Sequence, residues 1–131
     1  MIFAAYQPQD ILEDQYRQLI AALLPEGILD YFGLTQVQKD QKGLYLHLEE
    51  RNILPKEYQD QKESVYHSKG FFPQVTVQDF PIRGQKVLLL VKRRRWENQT
   101  TGDIVSRDWD LVQKGTRLTA EFAAFLKGIL G

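Results

Sequence analysis

Five consecutive apolar residues at 87–91, VLLLV, run without a break into four consecutive cations, Lys92, Arg93, Arg94 and Arg95, and then into Trp96. The apolar part is far too short to span a bilayer, and it reads as a strand whose far end is charged. Strand alternation puts Lys92, Arg94 and Trp96 on one face and Arg93 and Arg95 on the other. The polar ENQTTG that follows is turn chemistry, and DIVSRDWDLV is the return strand of a hairpin. Closing that hairpin around residues 99–102 brings Arg107 near Arg94 and Trp109 near Lys92.

The rest of the chain is organised around this hairpin. DILEDQYRQLIAALL places Leu12, Tyr16, Leu19, Ile20, Leu23 and Leu24 at helical spacing, with Asp10 as N-cap, Glu13 three residues on, and Pro25 as the stop. EGILDYFG adds a short apolar turn before Gly33. LTQVQ and LYLHLE then alternate as a first hairpin across the polar KDQKG. Residues 51–70 are polar and poorly periodic, which predicts a long loop with one helical turn after Pro55. PQVTVQDF predicts a strand, closed by a turn containing Pro81 and Gly84. The last element, TAEFAAFLKGIL, takes Thr119 as N-cap and carries Phe122, Phe125, Leu126, Ile129 and Leu130 on one stripe that should be buried. The expectation is a single α+β domain over residues 1–131: an N-terminal helix, a mostly antiparallel sheet built from two hairpins, and a C-terminal amphipathic helix.

Composition narrows the chemistry. The 131 residues include no cysteine, which excludes disulfides, thiolate catalysis, iron–sulfur clusters and a cysteine-ligated zinc ribbon. The N-terminus has no basic segment followed by a long apolar stretch, so a secretory signal is not expected and a cytoplasmic location is the default. The net charge is zero, from 17 basic and 17 acidic side chains, but it is unevenly spread. Residues 1–82 carry 7 basic and 12 acidic groups, whereas residues 83–117 carry 9 basic and 4 acidic ones, a local surplus of +5. Such a basic segment lets a neutral protein present one face to phosphate.

Arginine is the side chain best shaped for phosphate and base-edge contacts, so the basic hairpin is the candidate nucleic-acid surface. The competing reading is that the charges guard an edge strand against aggregation and that Trp96 and Trp109 are structural. His47 shares a strand face with Glu49, yet two histidines and no cysteine make a hydrogen-bonded histidine the simpler expectation than a metal ligand. The sequence contains no nucleophile elbow, no phosphate-binding glycine loop and no specific carboxylate pair. An enzyme is therefore not expected, nor is a cofactor.

From FPIRGQKVLLLVKRRRW through TGDIVSRDWDLVQKGTRLTAEFAAFLK, with LLPEGILDYF and HLEERNILP before it, the sequence resembles the N-terminal-region proteins of split insertion-sequence transposases of the ISAon type. The segments cover most of the chain from residue 23 to residue 127, with RRRW, RDW and GTR in order. The resemblance implies a small non-catalytic protein whose Asp-Asp-Glu nuclease is a separate polypeptide. It also relates the chain to the N-terminal head of ISL-type transposases, in which a zinc ribbon follows the arginine-rich strand. By that resemblance Lys92, Arg93, Arg94 and Arg95 are the DNA-binding candidates, with Arg107, Lys114 and Arg117 as supporting phosphate contacts. The partners implied are the terminal inverted repeats of the transposon and the catalytic transposase subunit, and a homodimer would suit paired ends. The alternative is a protein-interaction adaptor that docks on the catalytic subunit through its apolar C-terminal helix and never touches DNA.

Overall fold

The computed structural model describes residues 8–61, 64–110 and 117–130, with the side chains of residues 8–12 outside the description. The chain is α+β and falls into two compact units, residues 1–30 and 31–131.

In the first unit, α1 runs Pro8–Leu23. The helix starts two residues before Asp10, so Asp10 lies inside it rather than capping it. Proline suits a helix start, because its fixed φ is helical and its missing N–H would have had no partner there. Pro25 ends the helical pattern as expected, and Gly27, at φ 79°, turns the chain into the short α2, Ile28–Tyr31. Of the apolar stripe on α1, Leu24 just beyond its end is buried, while Tyr16, Leu19 and Leu23 are exposed.

In the second unit the predicted first hairpin is present as β1 (Phe32–Lys39) and β2 (Gly43–Glu50). Asp40 closes its turn by accepting the N–H of Lys42 at 2.8 Å and of Gly43 at 3.0 Å. The loop expected over residues 51–70 is only partly a loop. The helical turn after Pro55 exists as α3, Lys56–Gln59, but Tyr66–Phe71 forms strand β3. That strand escaped the sequence pattern because it is a half-solvated edge, so few of its positions need to be apolar. Strand β4, Val75–Ile82, then meets β5, Gln85–Lys92, through a two-residue turn in which Arg83 (φ 55°) and Gly84 (φ 75°) are both left-handed.

The run KVLLLVKRRRW is not one strand of the expected second hairpin. It is two strands, β5 and then β6 (Arg94–Asn98), and they belong to different sheets. The larger sheet has the order β1-β2-β5-β4, in which β2 and β5 are parallel neighbours and the outer pairs are antiparallel. Leu46, Leu48, Val77, Val87, Leu89 and Val91 are buried along it, which is why the apolar run takes a central position. The smaller sheet has the order β3-β6-β7 and is antiparallel, with β7 reduced to Ile104–Val105.

Residues 117–119 close the outer edge of β4. Gln78 donates its N–H to the Arg117 carbonyl at 2.8 Å and accepts the Thr119 N–H at 2.9 Å. Thr119 then caps α4, Ala120–Leu130, accepting the Phe122 N–H at 3.3 Å as the sequence predicts. Its hydroxyl also donates to the Asp79 carboxylate at 2.8 Å, and both groups are buried. The apolar stripe of α4 is only partly covered. Phe122 is buried and stacks with Phe125 around Phe80, while Phe125, Ile129 and Leu130 remain exposed. The expected burial of the whole stripe fails: among the described residues Phe122 and Phe125 meet Phe80 on β4, whereas the last turn, with Ile129 and Leu130, stays exposed.

Burial raises the pKa of Asp79 above the ordinary 3.8, against the lowering effect of the Thr119 and Phe80 hydrogen bonds. The folded state therefore binds this proton more tightly than the unfolded chain does, and the penalty for the charged form is relieved as pH falls through the raised value toward 3.8. Compared with Asp79→Asn, the wild type should gain stability on acidification over that window. Urea midpoints of both proteins across mildly acidic pH would check this, and parallel curves would refute it.

Candidate nucleic-acid interface

The point at which the apolar run becomes the cationic run is also where the chain leaves one sheet for the other. Alternation along β2 places Leu44, Leu46, Leu48 and Glu50 in one phase, so a carboxylate ends an otherwise apolar row. Glu50 is 1% exposed. Its Oε1 accepts the backbone N–H of Arg94 at 2.9 Å, and its Oε2 accepts Nε–H of Arg107 at 3.1 Å. The Glu50 carbonyl accepts Nε–H of Arg94 at 3.1 Å, and Arg94 Nη1 donates to Ser68 Oγ at 2.6 Å. Arg107 Nη2 donates to the Ile53 carbonyl, and Arg93 Nη2 donates to the Arg107 carbonyl. One buried carboxylate thus joins β2, β6 and residue 107, and Arg107 extends the link to Ile53.

Aromatic rings complete these arginine seats. Arg94 lies 4.6 Å from the Phe71 ring centroid, Arg95 5.5 Å from that of Phe72, and Arg107 4.0 Å from that of Tyr31. Trp96 is 1% exposed and donates Nε1–H to Asn52 Oδ1 at 2.9 Å, so its role is structural. Trp109, expected beside Lys92, has its indole 5.1 Å from Phe32 and 6.3 Å from Tyr31, centroid to centroid.

The predicted DNA-binding residues therefore divide. Arg94 and Arg107 do come together, as the hairpin closure predicts, but they meet on Glu50, and their guanidinium groups bond to the fold itself. Arg93 reaches inward to the Arg107 carbonyl, and Arg93 and Arg95 each have a buried Nε with no hydrogen-bond partner among the described residues. Lys92 is half-buried at the end of β5, opposite Glu49. Arg117 is exposed beside β4, and Lys114 lies outside the described residues. Sequence reasoning missed Glu50, Asn52 and Ser68. The available signal was Glu50 itself, a charge in the apolar phase of an alternating strand.

His47 is half-buried and shares a 2.8 Å hydrogen bond with Gln38. Among the described residues no group of three or more His, Asp or Glu side chains is placed to hold a metal. Among the described residues, too, no helix is long and apolar enough to cross a membrane. No protein-family model, no curated protein and no solved structure matches the chain.

Removing one partner of a buried ion pair leaves the other charge uncompensated, at a cost of about 3–5 kcal/mol. Glu50→Ala should lose about that much stability in urea titrations, and Glu50→Gln should lose less, because its amide oxygen still accepts one of the two N–H groups. A loss of under about 1 kcal/mol for Glu50→Ala would show that the carboxylate does not hold the two sheets together.

Proposed function

We propose that the chain is the non-catalytic N-terminal DNA-binding component of an insertion-sequence transposase, acting in the cytoplasm on transposon-end DNA that a separate catalytic subunit cuts. The resemblance of RRRW, RDW and GTR supports this reading, and one structural observation carries it: among the described residues of 83–117, most of the basic charge is left without an acidic partner. Of its cations only Arg107 is ion-paired to a carboxylate among the described residues, and the segment's Glu97 pairs with Lys69 from outside it, at 3.7 Å. Arg83, Lys86, Lys92 and Arg117 are left with charge to offer a phosphate backbone.

The test is a fluorescence-anisotropy titration against a duplex bearing the element's terminal repeat and a scrambled duplex, at several salt concentrations. Repeat-selective binding that weakens with salt is expected. Equal affinity for both duplexes would remove the end-recognition role.

The exposed end of α4 favours a second activity, docking on the catalytic subunit. Ile129 is 63% and Leu130 83% exposed, at the far end of the same stripe whose Phe122 and Phe125 meet Phe80. Ile129→Asp with Leu130→Asp should abolish nuclease-resistant co-purification with the catalytic polypeptide while leaving duplex binding intact. Unchanged co-purification would exclude α4 as the docking element.

A further inference from the structure

Because β2 and β5 run parallel, the turn that precedes β2 and the turn that precedes β5 emerge at the same end of the larger sheet. The first turn carries Lys39 and Lys42, the second Arg83 and Lys86, and all four are exposed. Gly43 sets the two tips side by side. It pairs with Lys86, and a Cβ at residue 43 would stand 2.5 Å from the Lys86 carbonyl oxygen, so only glycine permits this approach. Arg83 occupies the left-handed position of its turn, where glycine or asparagine would be easier, so a long cation sits at the apex despite the backbone preference.

The only acid in these two turns, Asp40, is already engaged. It accepts the Lys42 and Gly43 N–H groups and the Tyr45 hydroxyl, and the Lys42 backbone bond leads the effects that hold its carboxyl below the usual range. None of the four cations has an ion pair among the described residues, and the surplus at the tips is +3. Gln38, Lys39, Asp40 and Tyr45 line an open depression beside them. Residues 39–43 and 83–86 themselves carry no apolar side chain to enter a lipid layer, and the exposed Val37 and Pro81 beside them are too small an anchor to make this a membrane-binding surface.

The geometry points to the paired tips, through Lys39, Lys42, Arg83 and Lys86, as the surface that holds the phosphate backbone of duplex DNA. This assignment rests on the DNA-binding reading above and moves the main contact expected from the sequence, the arginine-rich strand at one end of β5, to the turns at the other. Contacts of this kind fix position on the duplex without reading sequence.

The experiment compares three full-length proteins on a 24-bp duplex of arbitrary sequence between 50 and 200 mM salt, by anisotropy. The first is wild type. The second is Lys39→Gln, Lys42→Gln, Arg83→Asn and Lys86→Gln, where asparagine tolerates the left-handed turn. The third removes the same charge elsewhere, by Arg17→Gln, Arg51→Gln, Lys56→Gln and Lys127→Gln, all exposed positions. Each phosphate contact adds about 0.9 to the slope of log affinity against log salt, so the tip variant should lose about 3.6 of slope, roughly a hundredfold less weakening across that range. The charge-matched variant should keep the wild-type slope. Equal losses in both variants would reduce the effect to net charge and overturn the site. A tip variant that binds like wild type would also overturn the site while leaving DNA binding in place. Absence of wild-type binding at 50 mM salt would overturn the site and the DNA-binding reading together, and wild-type binding to phosphatidylserine vesicles but not duplex would do the same. Circular dichroism and urea midpoints matching wild type establish that the variants are folded.

Discussion

The buried carboxylate of Glu50 is the constraint on which the arrangement of the two sheets depends. Two ligands, the Arg94 N–H and the Arg107 guanidinium, fix the place where the chain stops being β5 and becomes β6. Without an acceptor there, the Arg94 N–H would be an unpaired buried donor and the sheet ladder would have no reason to end after Lys92. A buried pair is not by itself strong evidence of stability, since desolvation offsets much of the attraction. Its value here is positional: one side chain specifies where the chain crosses, and the Arg94 and Arg107 side chains carry that specification to Ser68 and Ile53.

That arrangement changes what the arginine-rich segment can do. Side chains that bond Glu50, Ser68 and backbone carbonyls, and that lie over Phe71 and Tyr31, cannot leave those seats for phosphate without exposing a buried acceptor. Cations free of such bonds stand elsewhere, and four of them, Lys39, Lys42, Arg83 and Lys86, come together on the two turns at the opposite end of β5. A basic run in a sequence and a basic surface on a protein are thus different things, and the difference lies in which cations the fold uses for itself.

Much of the fold was legible in the residues. The first hairpin, the turn after Pro55, the strand at 75–82 and the Thr119 cap all follow from local chemistry: alternation, an Asx turn at Asp40, proline's fixed φ and a hydroxyl at a helix start. Strand β3 was not legible, because an exposed edge demands little apolar content. Nor was the break at Arg93, because alternation continues smoothly through it and only a contact 44 residues away, to Glu50, interrupts the ladder. The partial exposure of the α4 stripe was equally hidden, since periodicity shows that a helix has an apolar side but not how much of that side finds a neighbour.

By itself, the sequence determined the class of fold, the absence of any thiolate chemistry and the concentration of positive charge in the second half of the chain. These depend on residue type and on spacings of a few positions, which short-range physics reads directly. Tertiary structure alone decided that β2 and β5 lie parallel, that Glu50 takes up Arg94 and Arg107, and that Lys39 and Lys42 come to stand beside Arg83 and Lys86. Those outcomes join residues more than 40 positions apart, and their energies depend on burial and on which donors meet which acceptors, quantities that exist only once the chain has closed on itself.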